Sequence, residues 1–126
     1  MEAGDTFLRV DTDKHLWVVI SDPVLNPENV LIVNLTSLDH RKERACVLNP
    51  GDHPWITHDT CVNYEDSLIT TQVKLEAARM GGAIRMQHQL AQAVLRRVLK
   101  GAVHSARMKL DNANIVVGQN LFDCLS

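Results

Sequence analysis

The sequence predicts a mainly β fold with C-terminal helices, a compact antiparallel barrel or rolled sheet followed by helical segments. The first half carries short runs rich in β-branched and aromatic residues, each bounded by turn residues. After Thr70 the hydrophobic period changes from strand-like to helical. No helical stretch separates successive strands in the first half, which argues against a parallel βαβ array.

Asp5–Val10 and His15–Ser21 are the first two expected strands, and the polar Asp11-Thr12-Asp13-Lys14 between them reads as a hairpin turn. The uninterrupted run Leu16-Trp17-Val18-Val19-Ile20 suggests a strand covered on both faces. Asp22-Pro23 and Asn26-Pro27-Glu28-Asn29 mark a loop, because each proline disfavours helix at the residue before it. Val30–Leu35 is a third strand. Ala45–Leu48 is a fourth, after the charged turn His40–Arg44, and Cys61–Tyr64, extending toward Ile69, is a fifth. Gln72–Met80 then forms a short helix stopped by Gly81-Gly82. From Arg85 to about Lys100, Met86, Leu90, Ala93, Val94, Leu95, Val98 and Leu99 recur at helical spacing opposite Gln89, Gln92, Arg96 and Lys100, which predicts one long helix ending near Gly101. Asp111–Ser126 is expected to dock as a strand or to fray. At 126 residues the chain suits one domain: barrel about 4–70, helices about 71–103, and a docking segment about 111–126.

Composition narrows the function classes. The net charge is −2, with 13 basic and 15 acidic residues, so no global basic footprint drives nucleic-acid binding and any such contact must be local. Basic residues do gather toward the C-terminal half, at Arg79, Arg85, Arg96, Arg97, Lys100, Arg107 and Lys109. No apolar run approaches the roughly 18 residues of a membrane span. Met1-Glu2-Ala3-Gly4-Asp5 lacks the basic and apolar regions of a signal peptide, so a cytoplasmic location is the expectation. Cys46, Cys61 and Cys124 are odd in number and widely spaced, which predicts free thiols.

The densest chemistry lies in the connection Gly51-Asp52-His53-Pro54-Trp55-Ile56-Thr57-His58-Asp59, with two imidazoles, two carboxylates and a tryptophan. Loops on a rigid scaffold are where binding and catalytic groups concentrate, although Asn49-Pro50-Gly51-Asp52 is also ordinary turn chemistry. Walker, dinucleotide, nucleophile-elbow and helical zinc-protease motifs do not occur. Cys46, His53, His58 and Cys61 form C-x6-H-x4-H-x2-C, a ligand set zinc could accept but with the spacing of no compact finger; a zinc-stabilised domain is therefore an alternative to a metal-free one. Cleavage of RNA at its 2′-hydroxyl needs one group to take that proton, another to protonate the leaving oxygen, and donors for the phosphorane charge. His53 and His58 can divide the first two roles without metal. Thr36, Ser37 and Thr57 offer hydroxyls, and Lys14, Arg41 and Arg44 offer positive charge.

These features resemble the PemK/MazF/Kid-like toxins of bacterial toxin–antitoxin systems. The resemblance rests on Gly4-Asp5 opening the first strand, Leu16-Trp17-Val18-Val19-Ile20-Ser21 for the family's "PVLVVS" strand, and Val33-Asn34-Leu35-Thr36-Ser37 for its "P-L-T-S" strand end. The Gly51–Asp59 loop is similar to a GDHP[FW]-x-x-H signature of PemK-like proteins. The resemblance covers roughly residues 4 to 101. It implies an SH3-like antiparallel barrel, a homodimer, and a metal-independent, cofactor-free endoribonuclease that cleaves single-stranded RNA and is neutralised by an antitoxin. Thr36 and Ser37 carry over from the family's motif. The chain departs where the family has a catalytic arginine, since Lys14-His15 precedes the second strand here; Asn34 replaces the proline, and Asn63-Tyr64 stands at the acid of the "D-Q" strand. The expected site is therefore His53, His58, Thr36 and Ser37 for catalysis, with Lys14, His15, Trp55, Thr57, Arg41 and Arg44 contacting RNA. The competing expectation is a noncatalytic module that binds a protein or nucleic acid.

Overall fold

A computed structural model describes residues 1–11 and 15–121. Two short strands, β1 (Thr6–Arg9) and β2 (Leu16–Val19), form the expected hairpin, with Phe7 opposite Trp17. β3 (Val30–Ser37) pairs with β2, and β5 (Thr60–Thr70) pairs with β3 and with the two-residue β4 (Val47–Leu48). Together with β6 (Ile84–Gln87), paired to β1, they make an all-antiparallel six-stranded sheet of order β4-β5-β3-β2-β1-β6. The sheet curls into a half-barrel that stays open between β4 and β6.

Helices pack on both faces, which explains why β2 is buried at every position. The helix α1 (Gln72–Met80) begins where the Thr71 hydroxyl accepts the Lys74 amide at 3.1 Å. Its Leu75 joins Phe7, Trp17, Val19, Val30, Ile32 and Ile84 in one core. On the other face α2 (Gln92–His104) and α3 (Leu110–Gln119) set Val94, Leu95, Val98, Leu99 and Val116 against Leu16, Val18, Leu31, Val33, Leu35, Val62 and Tyr64. Gly101 permits the closest approach of α2 to the sheet. A Cβ there would meet the Tyr64 hydroxyl and would sit 2.8 Å from Cys46 Cβ. Tyr64 instead donates its hydroxyl to the Val98 carbonyl at 2.6 Å.

Two expected elements take a different form. Arg85 does not open a helix: residues Ile84–Gln87 are β6, and α2 starts only at Gln92. Met86 and Leu90 are four apart, which suits a helix, but Ile84 and Met86 are also two apart and pack with the α1 core as a strand does. The chain is turned into β6 by Gly82, at φ +80°, with Ala83 N–H bonded to the Ala78 carbonyl at 2.9 Å. The sheet thus extends beyond the expected barrel boundary near residue 70. The segment expected as a docking strand is the helix α3 as far as Gln119. The β-branched run Ile115-Val116-Val117 suggested a strand, yet Asn112 and Val116, one helical turn apart, are its buried positions, and packing overrides the local preference. Residues 122–126 of that segment, Cys124 among them, lie outside the described residues, as does Lys14. Cys46 and Cys61 are free, buried thiols. Among the described residues, no helix is long and apolar enough to cross a membrane.

Candidate functional site

The antiparallel order brings the β1–β2 connection and the β4–β5 loop over residues 49–59 to one end of the sheet, and the β3–β4 loop over residues 38–46 leaves β3 from the same end. In register, Ser37 at the end of β3 faces Thr60 at the start of β5, and Thr36 faces Cys61. Just outside β5, the His58 ring reaches back to Ser37, with Nε2 2.7 Å from Oγ. Its Nδ1 is 3.3 Å from the Thr57 hydroxyl. From the neighbouring strand, His15 Nδ1 donates to the Leu35 carbonyl at 3.1 Å, one residue before Thr36. His15, Thr36, Ser37, Thr57 and His58 therefore share this end, with His58, Ser37 and His15 exposed.

The β4–β5 loop is tied down on both sides of His58. Asn49 donates its backbone N–H to Asp52 Oδ2 at 2.8 Å and its side-chain amide to Asp59 at 2.9 Å. Arg97 of α2 pairs with Asp52 at 3.2 Å and donates to the Val47 carbonyl at 2.7 Å. Ile56 is buried in the larger core and Trp55 packs against it. Trp55 is thus half an anchor, with part of its surface left at the rim.

His53 has a different place. Only 4% exposed, it turns inward across the open side of the half-barrel toward β1. Its Nδ1 accepts the Trp55 N–H at 3.0 Å, so that nitrogen is bare. Nε2 must then carry the proton, and it donates to the His88 carbonyl at 2.6 Å, where the Thr6 hydroxyl also donates at 2.6 Å. Burial lowers the pKa of this ring, against the opposing pull of the His88 carbonyl. The ring is a neutral brace between the loop and β1, and it is not brought beside His58. Pro54 restricts the backbone at residue 53, as the sequence implies, but nothing in the sequence near residue 53 announces Thr6 and His88 as its partners.

The other expected contacts divide. Arg41 lies in the β3–β4 loop, 3.4 Å from the Asp39 carboxylate. The Arg41 amide and then its guanidinium hold that carboxyl below its ordinary pKa. Arg44 is exposed in the same loop. The zinc alternative requires Cys46, His53, His58 and Cys61 to converge, and they do not: among the described residues, no three His, Cys, Asp or Glu side chains are placed to hold a metal. Burial pushes the Cys46 thiol up to about 11 and raises Cys61 as well, so both behave as packing groups. In the sequence Asn34 stands out only as a replacement for the family's proline; in the fold it is 4% exposed opposite Trp17 and Asn63, with its side-chain oxygen buried and unpaired among the described residues.

Chemically, a hydroxyl sharing a 2.7 Å hydrogen bond with an exposed imidazole is a proton-transfer pair. As a serine nucleophile it would lack its usual support, because the far nitrogen of His58 meets a threonine hydroxyl, not a carboxylate. As a base for a hydroxyl brought by a ligand, with Ser37 and Thr36 as donors, it needs no third residue. Comparison with known proteins finds no matching family model, curated protein or solved structure.

Proposed function

We propose that this chain is a toxin-like endoribonuclease of the PemK/MazF kind, an SH3-like barrel that cleaves single-stranded RNA without a metal and is neutralised by an antitoxin partner. The observation that carries this reading is the Ser37–His58 hydrogen bond at the exposed end of β3, the position at which the family resemblance sets the Thr36-Ser37 pair. His58 takes the proton of the RNA 2′-hydroxyl as its oxygen attacks the adjacent phosphorus. The bond from phosphorus to the 5′-oxygen then breaks, and that oxygen collects a proton from His15 or from water. Ser37 and Thr36 donate to the phosphoryl oxygens, where negative charge builds in the transition state. Arg41 and Arg44 neutralise the flanking backbone. His53 keeps the loop, and so His58, in position.

The products are a 2′,3′-cyclic phosphate and a 5′-hydroxyl end. The deciding experiment incubates purified protein with a single-stranded RNA in excess EDTA and identifies the ends of any fragments. Fragments ending in cyclic phosphate support the reading, while an intact RNA removes it. A noncatalytic binding module is the second reading, favoured by the inward, neutral His53, which takes that ring away from His58. Intact RNA together with retained RNA or protein binding would establish that alternative. The homodimer implied by the resemblance is checked by light scattering, with a dimeric mass expected at micromolar concentration.

A further inference from the structure

Basic side chains gather next to the Ser37–His58 end although the chain as a whole is acidic, with a net charge of −2. The gathering has a packing cause. Because Gly101 has no side chain, α2 lies close against Ala45 and Cys46, and the helix positions flanking that contact face the β3–β4 loop. Arg97, Lys100 and His104 occur there at spacings of three and four residues, on one helix stripe. With Ala45, Cys46 and Val47 they line an open cavity of about 260 Å³. Glu43 fastens the loop to the segment after α2, accepting from the Ser105 hydroxyl and from the Ala106 amide at 2.8 Å. The Arg107 guanidinium donates to the Arg41 carbonyl at 3.2 Å, which fixes a further cation over the loop. Lys42 and Arg107 both lie near enough to the Cys61 thiol to favour its charged form, against the burial that raises it. Cys61 is the register partner of Thr36, so the cations continue to the edge of the candidate site.

Four carboxylates sit among these groups, and each is engaged. Asp39 is bonded to Arg41, Glu43 to Ser105 and Ala106, Asp52 to Arg97, and Asp59, beside His58, to the Asn49 side-chain amide. Lys42 and Lys100 make no ion pair among the described residues. We infer that Lys42, Arg97, Lys100, His104 and Arg107 form a phosphate-binding track for single-stranded RNA, running from the Ser37–His58 end across the β3–β4 loop onto α2. The ligand is a flexible polyanion because the cations are spread along a path over two elements and the cavity between them is open. A free mononucleotide would engage only one stretch of it. The track rests on the ribonuclease reading for the identity of its ligand.

The test measures anisotropy of a fluorescein-labelled, fully 2′-O-methylated RNA oligomer, which lacks the 2′-hydroxyl and stays uncut, from about 50 to 200 mM salt. Removing one phosphate-neutralising cation should lower the slope of log affinity against log salt by about 0.7 on a single strand, so Lys42→Gln/Lys100→Gln should flatten it by about 1.4. Lys74→Gln/Arg85→Gln, equal in charge change but on α1 and β6, should keep the wild-type slope. Circular dichroism confirms that each variant is folded. An unchanged slope in the first double variant, an equal flattening in the second, or no binding by the wild type would each overturn the track. The ribonuclease reading fails separately: wild-type binding with the expected slopes but no cut in unmodified RNA leaves the track and removes the enzyme. Cleavage with an unaltered slope does the reverse.

Discussion

Replacing His53 by alanine should cost far more stability than its place in a loop suggests. The change removes the acceptor of the Trp55 N–H and one of two donors to the His88 carbonyl. Thr6 continues to donate to that carbonyl, so little changes there. The part-buried Trp55 N–H, left unpaired, costs about 1–3 kcal/mol. An imidazole-sized void of about 60 Å³, at about 24 cal/mol per Å³, adds about 1.5 kcal/mol. The sum is about 2.5–4.5 kcal/mol, which should lower the urea midpoint by about 1–3 M. His53→Asn, whose oxygen stands near the place of the missing Nδ1, should recover part of the Trp55 bond, and His53→Gln part of the His88 bond. The ring also predicts a pH effect. Its folded pKa lies below that of an unfolded histidine, about 6.5, so the unfolded chain binds the proton first. Its stabilising contribution is complete above about 6.5 and is lost as the pH falls from there through the folded value. Urea melts at a series of pH values between about 5 and 8 should show that acid-side loss in the wild type and a smaller one in His53→Ala. A midpoint shift below that of a surface substitution, about 0.5 kcal/mol, would refute the brace.

Leu90→Ala should cost about 2–5 kcal/mol, because Leu90 is 5% exposed, and the exposed Arg96→Ala should stay within about 0.5 in the same melts; a reversed order would mean that α2 and its lead-in face the other way. Gly101→Ala should destabilise despite the helix preference for alanine, worth about 0.5–1 kcal/mol, because the new methyl meets Tyr64 and Cys46; a stabilised variant would contradict the close approach of α2. Native protein treated with iodoacetamide and mapped by peptide mass should be unlabelled at Cys46 and Cys61 until unfolded, since both thiols are buried and raised in pKa.

Strand positions in the first half were legible because β-branched runs and turn residues alternate there, and β1, β2, β3 and β5 lie where that pattern puts them. The sixth strand was hidden by a coincidence of period, since Met86 and Leu90 satisfy a helix while β1 supplies a pairing edge that no local window contains. α3 was hidden by its β-branched run, whose facing is decided by Val116 and Asn112 packing on the rest of the fold. At the candidate site the residue types were visible and the partnerships were not. Loop composition drew attention equally to His53 and His58, but the register of β3 against β5 turns His58 toward Ser37, while Thr6 and His88, distant in sequence, hold His53 inside. Gly101, whose missing side chain sets α2 beside the β3–β4 loop, gave no signal beyond that of a helix end.

The Ser37–His58 pair is tested most directly by single-turnover cleavage of a defined single-stranded RNA in excess EDTA, comparing wild type with His58→Ala at matched, verified folding. Removing a general base should slow the chemical step by about 10²–10⁴-fold. Ser37→Ala, which deletes one donor among several, should slow it less. Cleavage by His58→Ala at the wild-type rate would contradict the assignment of this pair as the reactive centre.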